Sequence, residues 1–105
     1  MRKYKEQVAR GIRAIGEFSS KSLWDIDIDK LYMRSCSRCI LGQLYGDYIA
    51  GLYELKPCHA TNYMYIQNTW AIKHGFLLPY SHDRKEYELL NNEWKKQLRE
   101  LREYE

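Results

Sequence analysis

Apolar residues near the start of the chain recur at steps of three and four, which predicts an amphipathic helix over residues 3–18. Its apolar stripe consists of Tyr4, Val8, Ile12, Ile15 and Phe18. A set of basic residues lies on or beside this helix and largely off the stripe: Arg2, Lys3, Lys5, Arg10 and Arg13. The first predicted helix therefore has one face suited to a core and a separate basic face.

The most strongly patterned segment lies in the middle of the chain. One apolar face is formed by Leu41, Tyr45, Tyr48, Leu52 and Leu55, and a second stripe holds the small residues Gly42, Gly46 and Ala50. The pattern predicts a continuous helix that is capped by Ser35 or Ser37, runs to about Leu55 and is stopped by Pro57. Glycine inside a helix costs about 1 kcal/mol relative to alanine. We therefore expect this helix to be central and its small stripe to pack against another helix.

Residues 24–29 alternate between apolar and acidic side chains, which is typical of a half-buried extended segment. The only other short apolar run outside the predicted helices is residues 76–78, so the two segments could pair as a two-stranded ribbon. Asp25, Asp27 and Asp29 could bind a hard cation, although the solvated edge of an extended segment explains them as well.

A third helix is predicted after Thr61 or Asn62, either of which can cap it. Trp70 lies on the predicted inner side of this helix. Gly75 is expected just beyond its end in the left-handed conformation, with Phe76 folding back onto the helix.

The last helix is predicted to begin at Asp83, which starts a capping-box pattern, and to run nearly to the C-terminus. Its buried face is formed by Tyr87, Leu90, Trp94, Leu98 and Leu101. We expect Trp94 and Trp70 to be largely buried. The predicted fold class is thus mainly α, with one compact helical domain over residues 1–105 that has about four helices and optionally the small ribbon.

The chain of 105 residues carries a net charge of +3, and its distribution is more informative than its sum. Residues 1–38 hold nine Lys or Arg against five acids, whereas the remaining two thirds of the chain are nearly balanced. No run approaches the roughly 18 apolar residues of a membrane span, and the charged start lacks the apolar core of a signal peptide. Three cysteines do not make a disulfide framework. We expect a protein of the reducing cytoplasm without a membrane partner.

Cys36 and Cys39 form a C-x-x-C pair, and with Cys58 and His59 they could supply four ligands to a structural zinc ion. The second pair does not repeat the usual spacing, and Cys39 at the start of an apolar helix behaves as a small buried hydrophobe. The same residues and the remaining histidines are the inventory of a metal- or thiol-dependent enzyme. The chain has no glycine-rich phosphate loop, no H-E-x-x-H and no G-x-S-x-G. We expect no bound metal, no cofactor and no enzymatic activity.

The basic face is the best candidate for a binding site. Arg2, Lys3, Lys5, Arg10 and Arg13 could contact phosphates, and Tyr4 is placed to stack beside them. An ordinary solvated helix face explains the same residues. The ten tyrosines are a second candidate surface, because so small a domain cannot bury them all and tyrosine is a common anchor of protein interfaces.

A motif in the middle of the chain resembles a known group of proteins. Residues 39–51 read C-I-L-G-Q-L-Y-G-D-Y-I-A-G, and the later segments His74-Gly75-Phe76 and Tyr87-x-x-Leu90-x-x-x-Trp94 accompany them. The combination is similar to a family of small uncharacterised proteins from phages and prophages of Gram-positive bacteria and from actinobacterial genomes. That family carries the pattern C-[IV]-L-G-Q-L-[YF]-G-x-Y-x-x-G. The resemblance implies a phage setting in a bacterial host cell and implies no activity, fold or ligand.

In such a setting, small single-domain proteins often work by binding. We expect a non-enzymatic phage or prophage accessory protein that binds a host protein or a protein–nucleic-acid assembly, for example as an inhibitor of a host enzyme or defence nuclease. A nucleic-acid-binding regulator that uses the same basic face is the first alternative, and the metal- or thiol-dependent enzyme is the second. A homodimer is also compatible with the apolar central helix.

Overall fold

Helices make up most of the computed structural model, which describes residues 2–55, 64–79 and 83–103. The described helices are α1 (Lys5–Phe18), α2 (Ile40–Tyr45), α3 (Tyr48–Leu55), α4 (Met64–Lys73) and α5 (Arg84–Glu103). The radius of gyration of the Cα atoms is 12.8 Å, which is the value expected of a globular chain of this length. The predicted fold class, a mainly α single globule, is confirmed.

The longest of these helices, α5, begins and packs as its sequence predicts. The carboxylate of Asp83 accepts a hydrogen bond of 3.2 Å from the backbone N–H of Glu86, which is the expected N-terminal cap. The buried face consists of Tyr87, Leu90, Trp94 and Leu98. Leu101 is only half-buried, because it lies near the end of the helix.

The end of α4 also agrees with the prediction. Gly75 has a φ of +73°, its N–H donates to Ile72, and the N–H of Phe76 donates to Ala71 at 2.9 Å. These two bonds form a Schellman motif, which satisfies carbonyl groups that the helix end leaves unpaired. The predicted caps of this helix, Thr61 and Asn62, and the predicted helix stop Pro57 lie outside the described residues.

A close approach of α1 to this turn forms the centre of the molecule. Gly11 of α1 is buried, and a methyl group there would overlap the backbone oxygen of His74 and lie 2.8 Å from Cζ2 of Trp94. The indole N–H of Trp94 donates to the carbonyl of Gly75 at 2.7 Å. Trp94 is fully buried, as predicted, whereas Trp70 is only half-buried against the core.

The prediction of one continuous central helix is wrong. The segment forms two helices, α2 and α3, because Gly46 adopts a φ of +89° and ends α2. Gly42 lies against the backbone of Cys36 and Ser37 instead of a helix, and Gly46 and Ala50 are exposed. Gly42, Gly46 and Ala50 therefore do not form a helix-packing stripe.

A different glycine allows the two short helices to pack on each other. A side chain at Gly51 would lie 2.7 Å from Cβ of Leu41, so α3 rests directly on α2. The start of α2 also differs from the prediction, since the sulfur of Cys39 accepts the N–H of Gly42 at 3.3 Å. Ser35, a predicted cap, instead accepts N–H groups of the preceding turn.

The predicted ribbon is not present, since the described residues contain no strand and residues 23–30 form two short 3₁₀ turns. The alternation of apolar and acidic residues still predicted burial correctly. Ile26 and Ile28 are buried, and the aspartates between and beside them are exposed. Asp27 starts the second turn by accepting the N–H of Asp29 at 3.1 Å.

Side chains take the place of a partner strand along residues 23–33. The amide of Gln43 accepts the N–H of Asp27 at 2.7 Å and donates to the carbonyl of the same residue at 3.1 Å. Asn91 of α5 accepts the N–H of Met33 at 2.8 Å and donates to the carbonyl of Leu31 at 3.2 Å. The guanidinium of Arg102 donates to the carbonyls of Leu23, Trp24 and Ile26. Backbone groups of an irregular segment thereby gain partners that a strand would otherwise supply.

Replacement of Gly11 by alanine should destabilise the protein by about 2 kcal/mol, because the backbone of His74 cannot yield as a flexible side chain could. The matched control is Gly16→Ala in the same helix, where a side chain would meet nothing within 4 Å. That variant should gain about 0.5–1 kcal/mol from helix propensity. Urea unfolding of both variants measures the difference, and equal effects would show that the close approach is absent.

Asn91→Ala should cost about 1–3 kcal/mol, because the N–H of Met33 and the carbonyl of Leu31 each lose their partner. Asn92 follows it on the exposed side of α5, and Asn92→Ala should change the free energy of unfolding by no more than about 0.5 kcal/mol. Thermal unfolding of both variants tests whether the side chain of Asn91 stabilises the backbone of residues 31–33. A loss confined to Asn92→Ala, or shared equally, would contradict it.

Candidate binding site

The structure divides the predicted basic face into two parts, and the first part is tied to α5. The guanidinium of Arg2 binds the carboxylate of Glu93 through two bonds, Nε to Oε1 at 3.1 Å and Nη2 to Oε2 at 2.6 Å. Glu93 is a buried acid with only 6% of its surface exposed. Burial would raise its pKa, but the bonds from Arg2 and Gln97 outweigh burial and keep the pKa below its ordinary value.

Lys3 and Tyr4 are tied to α5 in the same way. Both side chains donate to Oε1 of Glu86, and the hydrogen bonds from Lys3 and Tyr4 lower the pKa of that carboxyl. The pKa of Tyr4 is raised, first by burial and then by Glu86, so the hydroxyl remains a donor. Arg2, Lys3 and Tyr4 thus fasten the N-terminal arm to α5, and the charges of Arg2 and Lys3 are already paired.

Lys5 lies between the two parts of the basic face. Its side chain is exposed, and its backbone carbonyl accepts a bond of 2.9 Å from Gln97. The second part of the face comprises Arg10 and Arg13, one turn further along α1. These two arginines line a cleft of about 210 Å³ between α1 and the end of α4, together with Ala14, Glu17, Phe18 and His74. We call this the α1–α4 cleft.

Arg10 is held in place by the C-terminus of α4. Its Nε donates to the carbonyl of Lys73 at 2.7 Å. The carbonyls of Trp70, Ala71 and Ile72 accept N–H groups of residues 74–76, so each of the last four carbonyls of α4 has a donor. A guanidinium at a helix C-terminus also interacts favourably with the helix dipole. Arg10 therefore keeps a fixed position, and its two terminal nitrogens have no hydrogen-bond partner among the residues that the structure describes.

His74 is oriented on the opposite wall of the cleft. Its Nδ1 lies 2.7 Å from the carbonyl of Trp70, and its ring stacks on that indole with 4.0 Å between centroids. Because a carbonyl only accepts, Nδ1 carries the proton in the neutral ring and Nε2 is the acceptor. Burial lowers the pKa of His74 below its ordinary value of 6.5, and the charges of Arg10, Lys73 and Arg13 lower it further.

The remaining walls combine one acid with one apolar ring. Arg13 and Glu17 are exposed, and Arg13 forms no ion pair in the part of the chain that the structure describes. Phe18 is 47% exposed at the end of α1, although the sequence places it on the apolar stripe. The cleft therefore offers two arginines, an oriented imidazole and an open aromatic ring.

The tyrosines separate into packed and exposed residues. Tyr45 is half-buried with its hydroxyl hydrogen-bonded to that of Ser19, and Tyr48 is half-buried as well. On the outer face of α3, Tyr53 and Ile49 are exposed. The expectation that these tyrosines cannot all be buried is met by Tyr53.

Of the cysteine pair, Cys39 has a structural role at the start of α2. Burial raises the pKa of the Cys39 thiol to about 11, and its sulfur serves as the helix cap. Cys36 is exposed, and both thiols are free. Among the described residues no group of three His, Cys, Asp or Glu side chains could hold a metal ion. The other proposed ligands and catalytic residues, Cys58, His59 and His82, lie outside those residues.

Within the described ranges, no helix is both long enough and apolar enough to cross a membrane. Comparison of the chain with protein-family models, with curated proteins and with solved structures gives no match. Of the residues that line the cleft, Arg10 and Arg13 belong to the predicted basic face, whereas the sequence placed Phe18 on the apolar stripe and His74 among the histidines of the enzyme hypothesis. Helical periodicity does not show which residues a neighbouring helix brings together.

The ion pair of Arg2 with Glu93 predicts a pH dependence of stability. The pKa of Glu93 is lower in the folded chain than its ordinary value of 4.5, so the unfolded chain takes up the proton first. The pair therefore stabilises the fold above pH 4.5, and the stabilisation is lost as the pH falls through the folded-state pKa. Glu93→Gln should flatten this part of the profile of unfolding free energy against pH.

The control for this prediction is Glu88→Gln, which changes an exposed acid of the same helix. Its pH profile should follow that of the unmodified chain. If Glu93→Gln left the acid limb of the profile unchanged, Arg2 and Glu93 would not be paired in solution.

Proposed function

We propose that this chain is a non-enzymatic binding protein whose contact surface is the α1–α4 cleft, and that its partner is another protein. The observation that carries the proposal is the division of the basic face. Arg2 and Lys3 have carboxylate partners on α5, whereas Arg10 and Arg13 are placed on a cleft with an exposed phenylalanine. Arginine beside a large apolar side chain is a frequent composition of interface hot spots.

The charge on this face favours a compact acidic contact. Glu6 and Glu17 are exposed on the same helix, so an extended polyanion that followed α1 would meet carboxylates at both ends. Proteins that bind nucleic acid through the backbone commonly make about 6–10 phosphate contacts. Arg10, Arg13 and the exposed Lys5 are few for that purpose, and two arginines are enough to anchor a protein interface.

The resemblance of residues 39–51 to phage and prophage proteins supports a biological setting for this binding. We propose that the chain acts in a bacterial host cell as a phage or prophage accessory protein that antagonises a host enzyme or a defence nuclease. A nucleic-acid-binding regulator is the second candidate. It is favoured by the aromatic rings beside the arginines, since Phe18 and the stack of Trp70 on His74 could receive bases.

The thiol-enzyme hypothesis has less support from the site. The sulfur of Cys39 already accepts a backbone N–H, and its raised pKa of about 11 keeps it protonated at neutral pH. A nucleophilic cysteine needs the thiolate form. Cys39 is therefore assigned to packing and helix capping.

The test is affinity capture from a lysate of the bacterial host by the immobilised chain, compared with the variant Arg13→Glu/Phe18→Ala. Neither side chain makes a described structural contact, so the fold should persist while capture of the partner falls at least about tenfold, which corresponds to about 1.4 kcal/mol. The matched control is Arg84→Glu/Leu89→Ala on α5, where Leu89 is 48% exposed and Phe18 is 47% exposed. The control should retain the partner.

Nuclease treatment of the lysate distinguishes the two candidates. The proposed protein contact survives the treatment. If the captured material is lost after nuclease treatment and its binding to the immobilised chain weakens steeply with salt, the nucleic-acid regulator is favoured. Equal capture by both double variants would place the contact elsewhere on the molecule and contradict the proposal.

A further inference from the structure

We propose that Arg10, Arg13 and the imidazole of His74 form an oxyanion site in the α1–α4 cleft, which takes an acidic side chain of the partner protein. This inference rests on the proposed function for the identity of the ligand and on the cleft geometry for its chemistry. The site also binds its anion together with a proton, so that binding strengthens as the pH is lowered through the titration of His74.

The positions of the donors are fixed before any ligand arrives. Nε of Arg10 is held at 2.7 Å by the carbonyl of Lys73, so the guanidinium is oriented, and its terminal N–H groups have no partner within the described ranges. His74 is held by the carbonyl of Trp70 and by stacking on the indole. Arg13 supplies a second guanidinium, one helical turn along the same wall. Preorganised donors lose less conformational entropy when they bind an anion.

The tautomer of His74 connects anion binding to protonation. Because Nδ1 donates to the carbonyl of Trp70, the neutral ring presents only a lone pair at Nε2. A carboxylate oxygen would be repelled by that lone pair and would be bound by an Nε2–H donor. The protonated ring is therefore the form that completes the site.

The charges around His74 also make an anion bind more tightly to the protonated ring. Arg10 and Arg13 on α1 and Lys73 on α4 disfavour the imidazolium, whereas the hydrogen bond to the carbonyl of Trp70 favours it. Glu17 on α1 is the one acid among the residues that line the cleft. An anion between the two arginines offsets their positive charge and removes much of this opposition. By thermodynamic linkage, an anion that raises the pKa of His74 must bind more tightly to the protonated form.

The cleft dimensions favour a side-chain carboxylate over a nucleic-acid backbone. A space of about 210 Å³ accommodates one anionic group with its neighbouring atoms, and Glu17 forms part of its wall. A second phosphate along the strand would approach that carboxylate. Phe18 at the mouth can instead contact the apolar atoms that surround an acidic residue in a protein interface.

The experiment measures the pKa of His74 by NMR titration of the full chain, with sodium sulfate as the probe and sodium chloride at matched ionic strength as the reference. Sulfate keeps a constant charge over the range in which histidine titrates, and a His74→Gln variant assigns the resonance. Sulfate should raise the pKa by about 0.5 units, which corresponds to roughly threefold tighter binding by the protonated form.

Arg13→Gln should abolish the sulfate effect, because it removes one of the two guanidinium groups without a described structural contact. Arg84→Gln is the control, since it removes an equal charge from an exposed position on α5 and should leave the effect intact. A pKa that is the same in sulfate and in chloride, or a sulfate effect that persists in Arg13→Gln, would overturn the oxyanion site.

Two polymers then identify the source of the anion. A short glutamate oligomer should reproduce the sulfate effect on His74, and a single-stranded oligonucleotide of equal charge should not. If only the oligonucleotide shifts the pKa, or if neither polymer does, the acidic protein ligand is wrong. If sulfate raises the pKa of His74 but no host protein is captured, the proposed function is refuted and the oxyanion site stands. If a host protein is captured but sulfate leaves the pKa unchanged, the oxyanion site is refuted and the proposed function stands.

Discussion

Three backbone segments meet around the indole of Trp94, and the rest of the fold depends on this contact. Gly11 allows α1 to touch the carbonyl of His74, and the left-handed Gly75 lets the chain turn so that its own carbonyl receives the indole N–H. Phe76 then packs 5.6 Å from the Trp94 ring. Because no side chain intervenes at Gly11, the positions of α1, α4 and α5 are fixed relative to one another.

The polar side chains of α5 also hold the irregular parts of the chain in position. Asn91 and Arg102 satisfy backbone groups of residues 23–33, and Gln97 reaches the carbonyl of Lys5. Glu93 binds the first arginine of the arm. A helix that looks like an ordinary amphipathic element therefore also supplies hydrogen-bond partners that a small sheet would otherwise provide. This arrangement allows a chain of 105 residues to order a segment without regular secondary structure.

The sequence predicted those features that depend on local spacing. The buried face of α5, the cap at Asp83 and the left-handed Gly75 all follow from side chains within a few residues of each other, and all are present. A glycine can either end a helix or allow a close contact along it, and local spacing could not show which of the two applies. Gly46 ends a helix instead of lining one, and the buried contact of Gly11 depends on a turn more than sixty residues away. Likewise, alternation in residues 24–29 gave the correct burial and the wrong backbone, because side-chain amides replaced a partner strand.

The candidate site also depends on tertiary neighbours, because contacts with α5 decide which basic residues near the N-terminus are paired with an acid and which are not. Five basic residues are alike in the sequence, but Glu86 and Glu93 on α5 pair with the first two, and the cations of α1 have no acidic partner among the described residues. A charge that is already paired contributes little further attraction to an incoming anion, because the anion must compete with an existing carboxylate. An oriented arginine without an acidic partner retains its attraction. The two acids of α5 thus determine which part of a uniform basic segment stays unpaired, and the unpaired part lies beside the end of α4, where the binding site is proposed.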